Sequence, residues 1–162
     1  MSEQREVVIL SGVRTAIGDY GGSLKDLPPT EPAAKVVKEA LSRSKVEPRD
    51  VGQCVFGTVI HTEAKDMYLS RVAMVNAGLP HSTPAMTLNR LCGSGMQAIV
   101  SAAQAILPGD TDVSLAGGPE SLTRGGHPIP ILAVGQRTGD CAPVHEHGGH
   151  PTPPAAPVPW VL

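Results

Sequence analysis

Of the three cysteines, Cys54, Cys92 and Cys141, the second has neighbours of the kind that let sulfur do chemistry. It lies in Asn89-Arg90-Leu91-Cys92-Gly93-Ser94-Gly95-Met96-Gln97-Ala98. Before it, Pro84-Ala85-Met86-Thr87-Leu88 reads as a short buried strand. After it, Met96, Ile99, Val100, Ala103, Ile106 and Leu107 recur at helical spacing. Cys92 therefore falls on a sharp strand-to-helix turn, and the three small residues behind it let other groups approach its sulfur. The first N–H groups of a helix have no intrahelical acceptor and point back toward such a residue. They and the helix dipole favour a thiolate, and they can donate to an oxyanion forming beside the sulfur. The arrangement is that of a nucleophile elbow with Cys in place of Ser. Spacing alone favours a buried, inert cysteine, the common fate of this residue type.

A second group of chemically capable residues lies near the end of the chain. Cys141, His145, His147 and His150 are of metal-ligand type. They lack the paired spacing of zinc sites and a scaffold to hold them, so no metal is expected. Pro151 to Pro159 has the composition of an extended segment that docks on an aromatic groove, and equally of an unstructured terminus. Gly117-Gly118 lacks the third glycine and the lysine of a phosphate loop and reads as a close-packing turn.

The elements that must hold Cys92 follow from the rest of the chain. Its 162 residues suit one domain with a real core. Aromatics make up only 2 %, so that core rests on Ala, Val, Ile, Leu and Met. A net charge of -2 gives no electrostatic case for nucleic acid or a membrane surface. No apolar run approaches the ~20 residues of a membrane span. The cysteines show no disulfide framework, and no apolar signal core follows Met1, so a soluble cytoplasmic protein is expected.

Val7-Val8-Ile9-Leu10 is a continuous apolar run and reads as a strand buried on both faces. Glycines 12, 18, 21 and 22 make the next stretch a loop. Thr30 is placed to cap a helix whose apolar face is Ala33, Val36, Val37, Ala40 and Leu41. Residues 54–60 read as a second strand, and residues 66–78 as a helix closed by Gly78. The strand before Cys92 and the helix after it come next, and Val113-Ser114-Leu115-Ala116 is a fourth strand. Alternation of strand and helix predicts an α/β fold, a mostly parallel sheet with helices on both faces.

Beyond residue 125 the composition changes. His127, His145, His147 and His150 are four of the 6 histidines, and Glu146 is the one charged residue after Asp140. Residues 141–162 show no helical or strand periodicity and are expected to form a disordered or loosely draped tail.

With these pieces in view, the chain resembles the thiolases, of the acetyl-CoA acetyltransferase or β-ketothiolase type. The likeness is carried by residues 8–18, by Val55-Phe56-Gly57-Thr58-Val59, by Asn89-Arg90-Leu91-Cys92-Gly93-Ser94-Gly95 and by Ala116-Gly117-Gly118-Pro119-Glu120-Ser121. Gly135-Gln136-Arg137-Thr138-Gly139-Asp140 fits a later family segment.

The resemblance implies a thiolase N-terminal half-domain over 1–124, the start of a loop domain over 125–140 and the tail over 141–162. It implies that Cys92 is the nucleophile that takes an acyl group from acyl-CoA, with Gly93 as a backbone oxyanion donor. Claisen condensation or thiolysis would follow, with coenzyme A as substrate and no separate cofactor. The family's activating histidine, second catalytic cysteine and CoA-gripping loop domain have no matching positions here, so the 162 residues alone are expected to turn over little. Gly126-His127-Pro128 and Gly149-His150-Pro151 imitate the histidine motif, but family spacing puts His127 in the loop leaving the fourth strand. The loss of family character between 125 and 141 is what a changed reading frame or alternative ending would produce. The resemblance also implies a homo-oligomer paired through the third strand, or association with a full-length thiolase. A non-catalytic dimerising fragment is the alternative.

Overall fold

The computed structural model describes residues 5–125 together with Trp160–Val161. Eight elements carry the fold. They are β1 (Val13–Arg14), α1 (Thr30–Ser44), β2 (Gln53–Gly57), α2 (Leu69–Ala77), β3 (Ala85–Leu88), α3 (Ser94–Ile106), β4 (Ser114–Gly118) and β5 (Trp160–Val161). The sheet runs β1-β5-β4-β2-β3, with β2 parallel to both β3 and β4, and β5 antiparallel to its two neighbours. The expected parallel α/β layering is present, and the third strand stands at the outer edge.

Burial on both faces follows from the pleat, which sends successive side chains of β2 to opposite sides. Cys54 and Phe56 face α1 and α2, where they pack with Val37, Leu41, Leu69 and Met74. Val55 faces the other way, against Ala98 and Ala102 of α3 and Ala116 of β4. Helix α1 buries the apolar stripe read from its sequence and turns Lys35, Lys38, Glu39 and Arg43 outward. Its start differs in one detail: Pro29 occupies the cap, and Thr30 is the first helical residue and buried. The helix expected over 66–78 is two pieces, a 3₁₀ turn over Ala64–Tyr68 and then α2, which ends on Gly78 at φ 95.

The largest departure is Val7–Leu10, which forms no strand. Val8, Ile9 and Leu10 are 61 %, 65 % and 59 % exposed. β5 lies between β1 and β4, so Val13–Arg14 stand two strands from β4, and Val7–Leu10 ahead of them pair with no strand. β5 covers only Gly117 and Gly118 of β4. Next to Ser114–Ala116 a cleft of about 170 Å³ opens between Val7–Ser11 and the side chains of Leu41, Val46, Ile99 and Ile106. The tail expected over 141–162 lies outside the described residues except for Trp160–Val161, which are strand rather than loose chain.

Candidate active site

The chain leaves β3 at Leu88 and enters α3 at Ser94, and the five residues between form a tight, locally bonded turn. The Asn89 side-chain oxygen accepts the Leu91 N–H at 2.8 Å. Leu91 then takes φ 50, in the left-handed region that costs a non-glycine residue about 1 kcal/mol or more. The Ser94 hydroxyl accepts the Arg90 N–H at 2.8 Å and donates to the Leu91 carbonyl at 2.7 Å, closing the turn from inside. The Arg90 guanidinium donates to the Gln97 side-chain oxygen at 2.6 Å, bracing the turn against the second turn of the helix. Cys92 stands at the crest, exposed and as a free thiol, two residues ahead of α3.

The helix end seats directly on the sheet. A Cβ at position 57 would come within 2.5 Å of the Ser94 backbone, and one at 118 within 3.2 Å of the Gly95 Cα. Glycine at the last residues of β2 and β4 is thus what lets the start of α3 rest on the carboxyl ends of both strands. Gly117-Gly118, read from sequence as a close-packing turn, are instead the last two residues of strand β4; the close packing is there at Gly118, but the turn is not.

Among the first N–H groups of α3, Ser94 donates to the Leu91 carbonyl at 2.9 Å. Gly93, expected as an oxyanion donor, is engaged: its N–H donates to the Arg90 carbonyl at 3.1 Å. The turn tightens so far that the cap residue bonds inside it. Gly95 and Met96 are the first-turn residues whose N–H groups have no acceptor among the described residues, and they open toward the end of the helix where Cys92 stands.

The loop after β2 forms the neighbouring wall. Thr58 N–H donates to the Leu88 carbonyl at 3.0 Å. Val59 and Ile60 donate to the two carboxylate oxygens of Glu120 at 2.8 and 2.9 Å. Asp66, wholly buried, accepts the N–H and hydroxyl of Thr62 at 2.7 and 2.8 Å. Burial raises the Glu120 carboxyl above its ordinary value, partly offset by the two backbone bonds.

Among the described residues no side chain hydrogen-bonds the Cys92 sulfur, and no cluster of three potential metal ligands occurs. His127, Cys141, His145, His147 and His150 lie outside the described residues. Sequence reasoning found Cys92 and its turn. It did not single out Asn89, Arg90, Ser94, Gln97 or Glu120. Asn and Ser flanking a predicted turn are the residue types that bond back to local backbone, a signal that was available. Nothing local marks Glu120, whose partners lie 60 and 61 residues away.

Comparison with known proteins gives one consistent result. The family described as "Thiolase, N-terminal domain" matches residues 7–141. The beta-ketothiolase BktB of Cupriavidus necator is 61 % identical over 136 residues, which is 84 % of this chain and 34 % of that protein. An acetyl-CoA acetyltransferase of the same organism is 43 % identical over 135 residues, 83 % of this chain and 34 % of that one. Among solved structures, the Bacillus anthracis acetyl-CoA acetyltransferase superposes with a TM-score of 0.77 at 38 % identity, covering 83 % of this chain and 34 % of that one. Human mitochondrial 3-ketoacyl-CoA thiolase in complex with CoA gives 0.75 at 38 %, covering 80 % and 33 %. The chain therefore spans about a third of the length of the relatives it matches.

Proposed function

The chain belongs to the thiolase family, and from that premise we propose that it carries the acyl-accepting half of a thiolase-type acyltransferase, with Cys92 as nucleophile. The observation that carries the reading is the exposed Cys92 thiol on a braced turn ahead of a helix whose Gly95 and Met96 N–H groups are unengaged. The Cys92 thiolate attacks the thioester carbonyl of an acyl-CoA, and the carbonyl oxygen takes up negative charge. Donors near the helix start stabilise that oxyanion; Gly93 joins them only if its bond to Arg90 opens. Collapse of the intermediate expels the coenzyme A thiolate and leaves the acyl group on sulfur. Exchanging one thioester for another keeps this step near balance in energy. A second acyl-CoA, deprotonated at its α-carbon, then attacks the acyl carbon in condensation, and thiolysis is the reverse. Coenzyme A enters as part of the substrate, and no separate cofactor is proposed. Free thiols at Cys54 and Cys92 fit a reducing compartment such as the cytoplasm. No helix among the described residues is long and apolar enough to cross a membrane.

The test is incubation with acetyl-CoA followed by mass spectrometry of the intact chain and its peptides. An acetyl group should appear on Cys92, persist, and be absent from Cys92→Ala. Because no described group is bonded to the sulfur to serve as base, release of product by the 162-residue chain should be slow. An adduct at another residue, or none, ends the reading. Product release at an undiminished rate ends the claim about the base.

A second reading concerns assembly, and a different observation favours it. β3 is the outer strand of the sheet, and large apolar side chains are exposed around it: Met86 on the strand, Leu91 beyond it, and Met96 and Val100 on α3. An uncovered edge flanked by such a patch invites pairing with a second copy. A dimer by light scattering that Met86→Lys converts to monomer is expected. A chain that is monomeric at every concentration sets this reading aside.

A further inference from the structure

Three consecutive N–H groups leave the end of β2, and each is held from elsewhere in the chain. Thr58 donates to the carbonyl of Leu88, the last residue of β3. Val59 and Ile60 donate to Glu120. Glu120 is two residues past β4, linked to Gly118 through Pro119, whose ring fixes φ and which is fully buried. One carboxylate thus ties the loop after β2 to the end of β4, while the Thr58 backbone bond carries the β2–β3 ladder one residue further, to Leu88. The Cys92 turn begins at the next residue along from Leu88. The first turn of α3 rests on Gly57 and Gly118, the residues from which these two tied loops depart.

We propose that Glu120 is a positioning residue for Cys92. It fixes the spacing of the β2 and β4 ends and so the height at which α3 presents its N-terminus to the sulfur. The inference rests on the reading of Cys92 as the nucleophile. The chemistry of the clamp is specific, because two adjacent N–H groups need two acceptor oxygens. A glutamine offers one oxygen, and its amide donors would face an N–H. The titratable neighbours of Glu120 are His61 and Asp66. Arg90, tied to Gln97, is the charged side chain of the cysteine turn itself. None of these changes in the variants below.

The test follows the rate of Cys92 alkylation by iodoacetamide at one fixed pH, read by peptide mass spectrometry, in the natural chain, Glu120→Gln and Glu120→Asp, with thermal unfolding of each. Glu120→Gln should slow Cys92 alkylation about threefold or more, because the helix end withdraws from the sulfur. Acetyl transfer from acetyl-CoA should fall about tenfold or more. Glu120→Asp keeps both oxygens on a shorter arm and should restore part of the rate. An unchanged alkylation rate in folded Glu120→Gln overturns the proposal, whatever acetylation does. If the natural chain takes up no acetyl group, the nucleophile reading fails on its own and the alkylation rate still decides the role of Glu120. If Glu120→Gln does not fold, Glu120→Asp carries the comparison, and failure of both to fold reduces Glu120 to a structural residue and overturns the proposal.

Discussion

Cys54 is the second residue of β2, with none of its surface exposed and its side chain packed under the α1–α2 layer, while Cys92 lies at an exposed turn ahead of α3. Desolvation pushes the Cys54 thiol up to about 12, against a smaller opposing effect of its contact with Ser70. A thiolate there would lose water and gain no donor strong enough to replace it. At Cys92 the surroundings are water, a turn closed by Ser94 and the positive end of a helix. The two residues have identical side chains, and both were read from sequence as belonging to or adjoining a buried strand. What separates them is which one the chain lifts out of the sheet. That difference leaves Cys92, and not Cys54, open to a reagent or substrate from solvent.

The largest effect expected from this contrast is in reactivity. At neutral pH, iodoacetamide should label Cys92 at least about a hundredfold faster than Cys54, and the gap should close in denaturant. Comparable labelling of Cys54 in the native chain would break the contrast. A smaller effect concerns the seat of the helix. Gly57→Ala puts a methyl within 2.5 Å of the Ser94 backbone, which should cost about 1–3 kcal/mol in urea unfolding. It should also slow alkylation of Cys92 while leaving Cys54 protected. An unchanged stability would mean that α3 does not rest on this glycine, and the account of why Cys92 differs from Cys54 would lose its structural basis.

Much of this was legible in the residues themselves. Apolar periodicity located α1, α3 and the three parallel strands, because burial on two faces leaves a pattern that short windows record. The strand-turn-helix sequence around Cys92 could be read for the same reason, together with its small residues. Val7–Leu10 was misread for an instructive cause: an apolar run states that a segment is suited to burial, not that a neighbour with free N–H and C=O groups lies beside it. Gly93, which the resemblance implied as an oxyanion donor, has its N–H on the Arg90 carbonyl, a bond that only the folded turn reveals.

Periodicity and the local motif settled the layered α/β class and the position of Cys92 ahead of a helix, since each depends on residues close together in the chain; the family was legible only as a resemblance carried by four segments between residues 8 and 121. The tertiary structure decided which strands adjoin, why Gly57 and Gly118 must be glycine, and that Glu120 holds Val59 and Ile60. Those contacts join residues some sixty positions apart. Their energies depend on distances that only the packed sheet sets, and no local pattern encodes them.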